Sequence, residues 1–215
     1  MKIVYHTKDG QTHKDCPFNY DDQALCAMFG RMNPPTLAHM NIIEHMERAF
    51  PGGNLPLIVV SDTSGNDTNP LSAELRKLLL NTWCGSHVTN AKDLFAAAGI
   101  VGDILQSQNI YDGVTKNVLW FVGTDRLEGI KRLWLYPDNF QQINIVIAEV
   151  IRDVDSEQNI SASAMRAAVL NNDRETFDNM SAFSPDAFGE FDPNLANDVM
   201  WKQIETVQQL WKPGK

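Results

Sequence analysis

Residues 24–39 read Ala-Leu-Cys-Ala-Met-Phe-Gly-Arg-Met-Asn-Pro-Pro-Thr-Leu-Ala-His. Ala24 to Phe29 form a continuous apolar run with the length of a buried strand, and Gly30 ends it. Ile42, Ile43, Met46, Ala49 and Phe50 then recur at helical spacing. The stretch therefore predicts strand, tight loop, helix. A loop shaped by Gly30, Pro34 and Pro35 at a helix N-terminus presents unpaired N–H groups and the positive end of the helix dipole, which together attract phosphate. Thr36 and His39, three residues apart, can both face that pocket. Taken alone, T-x-x-H also describes a helix capped by Thr36 with His39 packed against the loop.

The same alternation continues along the chain. Leu57 to Ser61 (LIVVS) reads as a buried strand, followed by a polar loop and a helix with Leu75, Leu78, Leu79 and Trp83 on its apolar face. A helix is expected around residues 91–98, strands at 118–122 (VLWFV) and 143–148 (INIVIA), and a further helix from about Arg126. Strands that are apolar throughout and alternate with helices predict an α/β domain, a Rossmann-like doubly wound parallel sheet with its ligand at the carboxyl ends of the strands. Residues 25–180 would form this domain. Residues 1–24, punctuated by Asp9-Gly10, read as an N-terminal arm or hairpin, and 181–215 as a loop and a terminal helix bearing Val199, Met200, Ile204, Val207 and Trp211. Trp201 and Trp211 would pack that helix on the sheet or join two copies of the chain.

Composition narrows the functional class. At 215 residues and a formal net charge of -9, the chain suits one domain and lacks the basic face that nucleic-acid binding demands, although a local basic pocket remains compatible. Cys16, Cys26 and Cys84 follow neither a disulfide nor a zinc spacing, and no apolar stretch is long enough to span a membrane. The N-terminus carries no secretory pattern, so a cytoplasmic location is expected.

A second segment, Ile160-Ser161-Ala162-Ser163-Ala164-Met165-Arg166, places hydroxyls at a helix start with Arg166 three residues after Ser163, forming a second phosphate cradle or an ordinary Ser-capped helix with a solvated arginine. The ordered pair of motifs resembles the nucleotidylyltransferase superfamily, whose members carry [H/T]-x-G-H after the first strand and I-S-x-[S/T]-x-x-R near the end of the catalytic domain. Two further segments are similar to elements of nicotinamide-nucleotide adenylyltransferases and phage-encoded cytidylyltransferase-like proteins: Asn69-Pro70-Leu71-Ser72 with Arg76, and Gly123-Thr124-Asp125-Arg126. The stretch at 171–180 is similar to a G-D-x-x-x-F pattern frequent in the phage proteins.

The resemblance implies transfer of a nucleoside monophosphate from an NTP to a phosphate acceptor. It assigns His39 and Thr36 to the α-phosphate, and Arg166 with Ser161 and Ser163 to the β- and γ-phosphates. Gly30, Arg31 and Met32 would lie beside the nucleotide, Asp125 by its sugar or base, and Arg76 at the acceptor phosphate. As bare residues, Arg76 also fits a solvated helix position and Asp125 a turn or cap. Mg²⁺ would arrive with the NTP and need no dedicated protein ligand. G-R-M-N-P is nearer to the G-R-F-[Q/N]-P of the adenylyltransferases, which favours ATP, nicotinamide mononucleotide as acceptor and NAD as product. The rivals are a CTP-dependent enzyme acting on a phospho-alcohol and a non-catalytic, virion-associated module. A class I aminoacyl-tRNA synthetase core is disfavoured by the short acidic chain. Self-association is common in such enzymes. One departure is Ala38, where the family has glycine.

Overall fold

The computed structural model describes residues 2–17, 24–49, 56–84, 87–107, 116–135, 143–151, 160–183 and 192–211. Its strands are β1 (Lys2–His6), β2 (Thr12–His13), β3 (Ala24–Gly30), β4 (Leu57–Ser61), β5 (His87–Ala91), β6 (Lys116–Gly123) and β7 (Ile143–Ile151). Its helices are α1 (Leu37–Ala49), α2 (Ala73–Cys84), α3 (Leu94–Ser107), α4 (Leu127–Lys131), α5 (Ala162–Leu170), α6 (Arg174–Met180) and α7 (Pro193–Trp211). One seven-stranded sheet runs β2-β1-β7-β6-β3-β4-β5. Strands β5, β4, β3, β6 and β7 pair in parallel, while β1 joins β7 antiparallel.

The alternation of side chains along each strand builds two cores. Cys26, Met28, Leu119, Phe121, Val146 and Ala148 face one side, against α1, α2, α5, α6 and α7. Leu25, Ala27, Val118, Trp120, Ile145 and Ile147 face the other, against α3 and α4. Both faces are covered, so the expected doubly wound architecture is present.

Three segments take their place only in the tertiary structure. The N-terminal segment turns at Gly10, with φ +84, and of the arm or hairpin expected there it forms a hairpin, at the edge of the main sheet. β5, His87–Ala91, reads HVTNA; only Val88 and Ala91 are buried, so no continuous apolar run announced it, and the helix expected from 91 begins at Leu94. The terminal helix packs intramolecularly: Ala196, Met200 and Ile204 enter the core, and Trp201 meets Phe177 edge to face at 5.3 Å. The side chain of Trp211 lies outside the described residues.

After β3 the chain runs to β4 and β5 on one side, then returns to β6 on the other. The carboxyl ends of β3 and β6 therefore flank the switch point at which doubly wound sheets open a crevice.

Candidate active site

A cavity of about 600 Å³ opens at that switch point. Gly30, Arg31, Met32, Thr36, His39, Asp125, Ser161, Ser163 and Arg166 all line it, so tertiary structure gathers three separated sequence segments on one crevice. Arg76 is absent from its wall.

The loop after β3 is held from several directions. Asn33, 2% exposed, clasps the backbone of Leu71: its Nδ2 donates to the Leu71 carbonyl and its Oδ1 accepts from the Leu71 N–H, both at 2.9 Å. Ala182 N–H donates to the Pro35 carbonyl at 3.4 Å, and Thr36 bridges Ser181. Met32, buried, has φ 44, in the left-handed region that side chains with a Cβ enter at a cost of roughly 1–2 kcal/mol. A buried, fastened loop tolerates such a residue; an isolated one would relax.

Within this loop the backbone N–H of Thr36 donates to Nδ1 of His39 at 3.1 Å, and the Thr36 hydroxyl lies 2.8 Å from the same nitrogen. An N–H donor requires Nδ1 to be the bare, accepting nitrogen, so neutral His39 carries its proton on Nε2. Thr36 thus orients His39. Ala38, at the position where the motif it resembles has glycine, is buried in the first turn of α1, within the helix rather than in the loop.

Arg166 joins the second motif to the first. Its Nη1 donates to the carbonyl of Asn33, 133 residues away, at 2.6 Å, and its Nη2 to Ser163 Oγ at 3.0 Å. Burial and, secondarily, the nearby Arg31 charge lower its pKa, while Asp67 opposes them. Two like charges share this wall, an arrangement that an anion would relieve. Ser161 caps α5, its Oγ accepting from Ala164 N–H at 3.1 Å, so it shapes the cradle while Ser163 faces Arg166. Asp125 sits at the carboxyl end of β6, exposed and 3.3 Å from Arg126. A Cβ at Gly123 would lie 3.0 Å from its carboxylate, an exposed side-chain end.

The expected acceptor contact, Arg76, is corrected. Its residue is fully buried, and its guanidinium donates to the carbonyls of Ser72 (3.2 Å), Ser61 (2.8 Å), Thr63 (2.9 Å) and Arg31. Burial pushes its pKa down to about 10, against the opposing pull of Asp62, and it stays charged at neutral pH. The Leu71 backbone and Arg76 brace the loop after β3, while Asn69 lines the cavity.

Several residues that matter here carried no sequence signal. Gln208 of α7, 7% exposed, donates from Nε2 to the Arg166 carbonyl at 3.0 Å. Asn197 accepts from Ser181 Oγ at 2.6 Å, next to the segment that fastens Pro35 and Thr36. A polar residue on an amphipathic helix looks solvent-facing until its partner is located. No group of three or more metal-ligating side chains occurs among the described residues, and Asp93, on the cavity wall, caps α3.

The chain has a doubly wound α/β fold with a phosphate-suited crevice at its switch point. No family model matches it, and no curated protein sequence does. Solved structures to which it is similar match at low identity and with TM-scores below 0.5. A Vibrio parahaemolyticus protein designated a nicotinate-nucleotide adenylyltransferase is 15% identical, with 83% of this chain and 98% of that one covered and a TM-score of 0.48. A bifunctional NMN adenylyltransferase/ADP ribose pyrophosphatase from Francisella tularensis is also 15% identical, with 90% of this chain covered and a TM-score of 0.48; the match spans 57% of its length. Thermotoga maritima TmcAL, bound with alpha-thio ATP, is 11% identical at a TM-score of 0.48, with 85% of this chain and 56% of that one covered. No helix among the described residues is long and apolar enough to cross a membrane.

Proposed function

We propose that this chain is a nucleotidyltransferase, most simply an adenylyltransferase that joins ATP to a pyridine mononucleotide and releases pyrophosphate. The observation that carries this reading is the Arg166–Asn33 hydrogen bond, which closes the S-x-S-x-x-R helix onto the T-x-x-H loop and leaves His39, Arg31 and Arg166 on one cavity wall.

In this reaction an oxygen of the acceptor phosphate attacks the α-phosphorus, a new P–O bond forms, and the α–β bridging bond breaks with its electron pair leaving on pyrophosphate. No covalent enzyme intermediate is needed, so the protein positions the reactants and stabilises the charge that develops. His39, with its proton on Nε2, would donate to the α-phosphate. Arg166, with N–H groups beyond those given to Asn33 and Ser163, would hold the departing pyrophosphate together with the N-terminal turn of α5. Asp125 would approach the nucleoside. Mg²⁺, if used, would be held by the phosphates rather than by a side-chain cage, which suits an ion that keeps its waters. ATP is favoured over CTP by G-R-M-N-P at 30–34.

The test is pyrophosphate release from ATP or CTP with pyridine mononucleotides and phospho-alcohols as acceptors. Removing His39 should slow turnover by roughly 10²–10³, as loss of one preorganised donor does elsewhere. Turnover unchanged in His39→Ala would sink this assignment, and a CTP requirement would move the acceptor to a phospho-alcohol.

A further inference from the structure

Helix α7 reaches both of the segments on which the proposed function rests. Asn197 and Gln208 lie about three turns apart on it, roughly 16 Å of rise, and share one face. Met200 and Ile204, fully buried, occupy the same face between them. Both amides are buried as well, and neither is on the cavity wall. A buried amide is costly unless it is hydrogen-bonded, and what it supplies there that leucine cannot is direction.

Each amide is bonded toward a different segment. Asn197 Oδ1 accepts from Ser181 Oγ at 2.6 Å, and its Nδ2 donates to the Phe183 carbonyl at 3.2 Å. Ser181 Oγ in turn accepts from Phe183 N–H at 3.1 Å, so residues 181–183 form a fixed strap. Ser181 pairs antiparallel with Thr36 as an isolated bridge, and Ala182 N–H donates to the Pro35 carbonyl. Thr36 N–H then reaches His39 Nδ1. Asn197, Ser181, Thr36 and His39 thus make one chain of contacts from α7 to the loop after β3. At the other end of the face, Gln208 Nε2 donates to the carbonyl of Arg166, whose guanidinium closes over Asn33.

The helix itself is held by contacts that involve neither amide. Trp201 meets Phe177 edge to face, the Arg174 guanidinium lies 5.6 Å from the centre of the Trp201 ring, and Arg174 Nη1 pairs with Asp198 at 2.7 Å. Replacing an amide therefore leaves α7 docked and changes what it grips.

We propose that Asn197 is a positioning residue for His39, acting through Ser181 and Thr36, and Gln208 one for Arg166, so that one rigid helix sets the spacing between the donor to the α-phosphate and the clamp on the departing pyrophosphate. This rests on the nucleotidyl-transfer reading above. In-line transfer is sensitive to such spacing, since a displacement of about 1 Å transmitted from a remote residue can cost about 10²-fold in rate. The two ends have different consequences. His39 acts where charge develops, so Asn197 governs kcat; Arg166 holds phosphates that are already bound in the ground state, so Gln208 governs KM.

Hydrogen exchange at the Thr36 amide, followed by NMR on the ligand-free full chain, tests the chain of contacts apart from the reaction. In Asn197→Leu this amide should exchange at least about tenfold faster while that of Leu119, in the centre of the sheet, stays within about twofold of wild type. Ser181→Ala, a smaller change, should reproduce the effect, and Gln208→Leu should not. In pyrophosphate release, Asn197→Leu should lower kcat at least about tenfold with KM for the NTP within about twofold. The double variant with Ser181→Ala should be no slower than the worse single one, because both break the same chain. Thr36 and Leu119 amides accelerating together would show a role in stability alone and overturn the proposal. So would a wild-type kcat in Asn197→Leu, which leaves the nucleotide reading standing. Acceleration confined to Thr36, in a protein that releases no pyrophosphate from ATP or CTP, would overturn the nucleotide reading and keep the positioning of His39.

Discussion

Replacing Arg76 by methionine separates a structural brace from a ligand contact. The substitution keeps an unbranched chain of similar bulk but deletes the donors to Ser61, Thr63 and Arg31; the Ser72 carbonyl retains the backbone N–H of residue 76 at 3.2 Å. Three carbonyls lose their partner. A buried acceptor left unpaired costs roughly 1–3 kcal/mol, and Thr63 and Arg31 are exposed residues whose carbonyls water can reach, so the lower end applies and about 3–4 kcal/mol is expected in total. Removing the buried charge returns part of its desolvation cost, which keeps the figure from rising further. For a chain of this size that corresponds to a fall in Tm of roughly 6–16 °C. Urea denaturation followed by tryptophan fluorescence measures it, and kinetics on the folded fraction should show weaker binding of both substrates, because the loop carrying Arg31 and His39 loses its anchor. Wild-type stability combined with a selective loss of acceptor affinity would refute the brace and restore Arg76 to the ligand.

Two further outcomes follow from neighbouring contacts. Gln208→Leu should change stability by no more than about 1 kcal/mol, since the Arg166 carbonyl lies inside α5 and keeps its helical donor four residues on, yet raise KM for the NTP more than it lowers kcat, because α5 loses a support at Arg166; an unchanged KM, measured by pyrophosphate release, would argue against that support. Asp173 caps α6 at Thr176, whose side-chain hydroxyl and then backbone N–H hold its carboxyl below the ordinary value of 3.8. A depressed folded-state pKa makes its stabilisation present above about 3.8 and lost as pH falls through the lower folded-state value, so the Tm gap between wild type and Asp173→Asn should be open at pH 6 and close toward pH 2. A gap independent of pH would show that the cap does not act through its charge.

The linear chain by itself determined the layered fold, because β3, β4, β6 and β7 are apolar on both faces and such strands are stable only between two layers of helices. It also marked the two helix-opening segments on which the proposed phosphate contacts rest, since a tight loop or hydroxyl-capped turn opening a helix is local chemistry, contained in a few consecutive residues. Strand β5 stayed hidden because an edge strand buries only some of its side chains. The role of Arg76 was illegible for a deeper reason. An arginine on a helix is the same letter whether it faces water, a phosphate or four carbonyls, and three of the carbonyls that occupy it, those of Arg31, Ser61 and Thr63, lie after β3 and at the end of β4, brought to it only by the sheet order. The tautomer of His39, the closing of Arg166 over Asn33, and the placing of Arg132 against Phe95 were likewise decided by tertiary structure. Hydrogen bonds and charge pairs depend on distance and direction between groups far apart in the chain, and composition and periodicity carry neither.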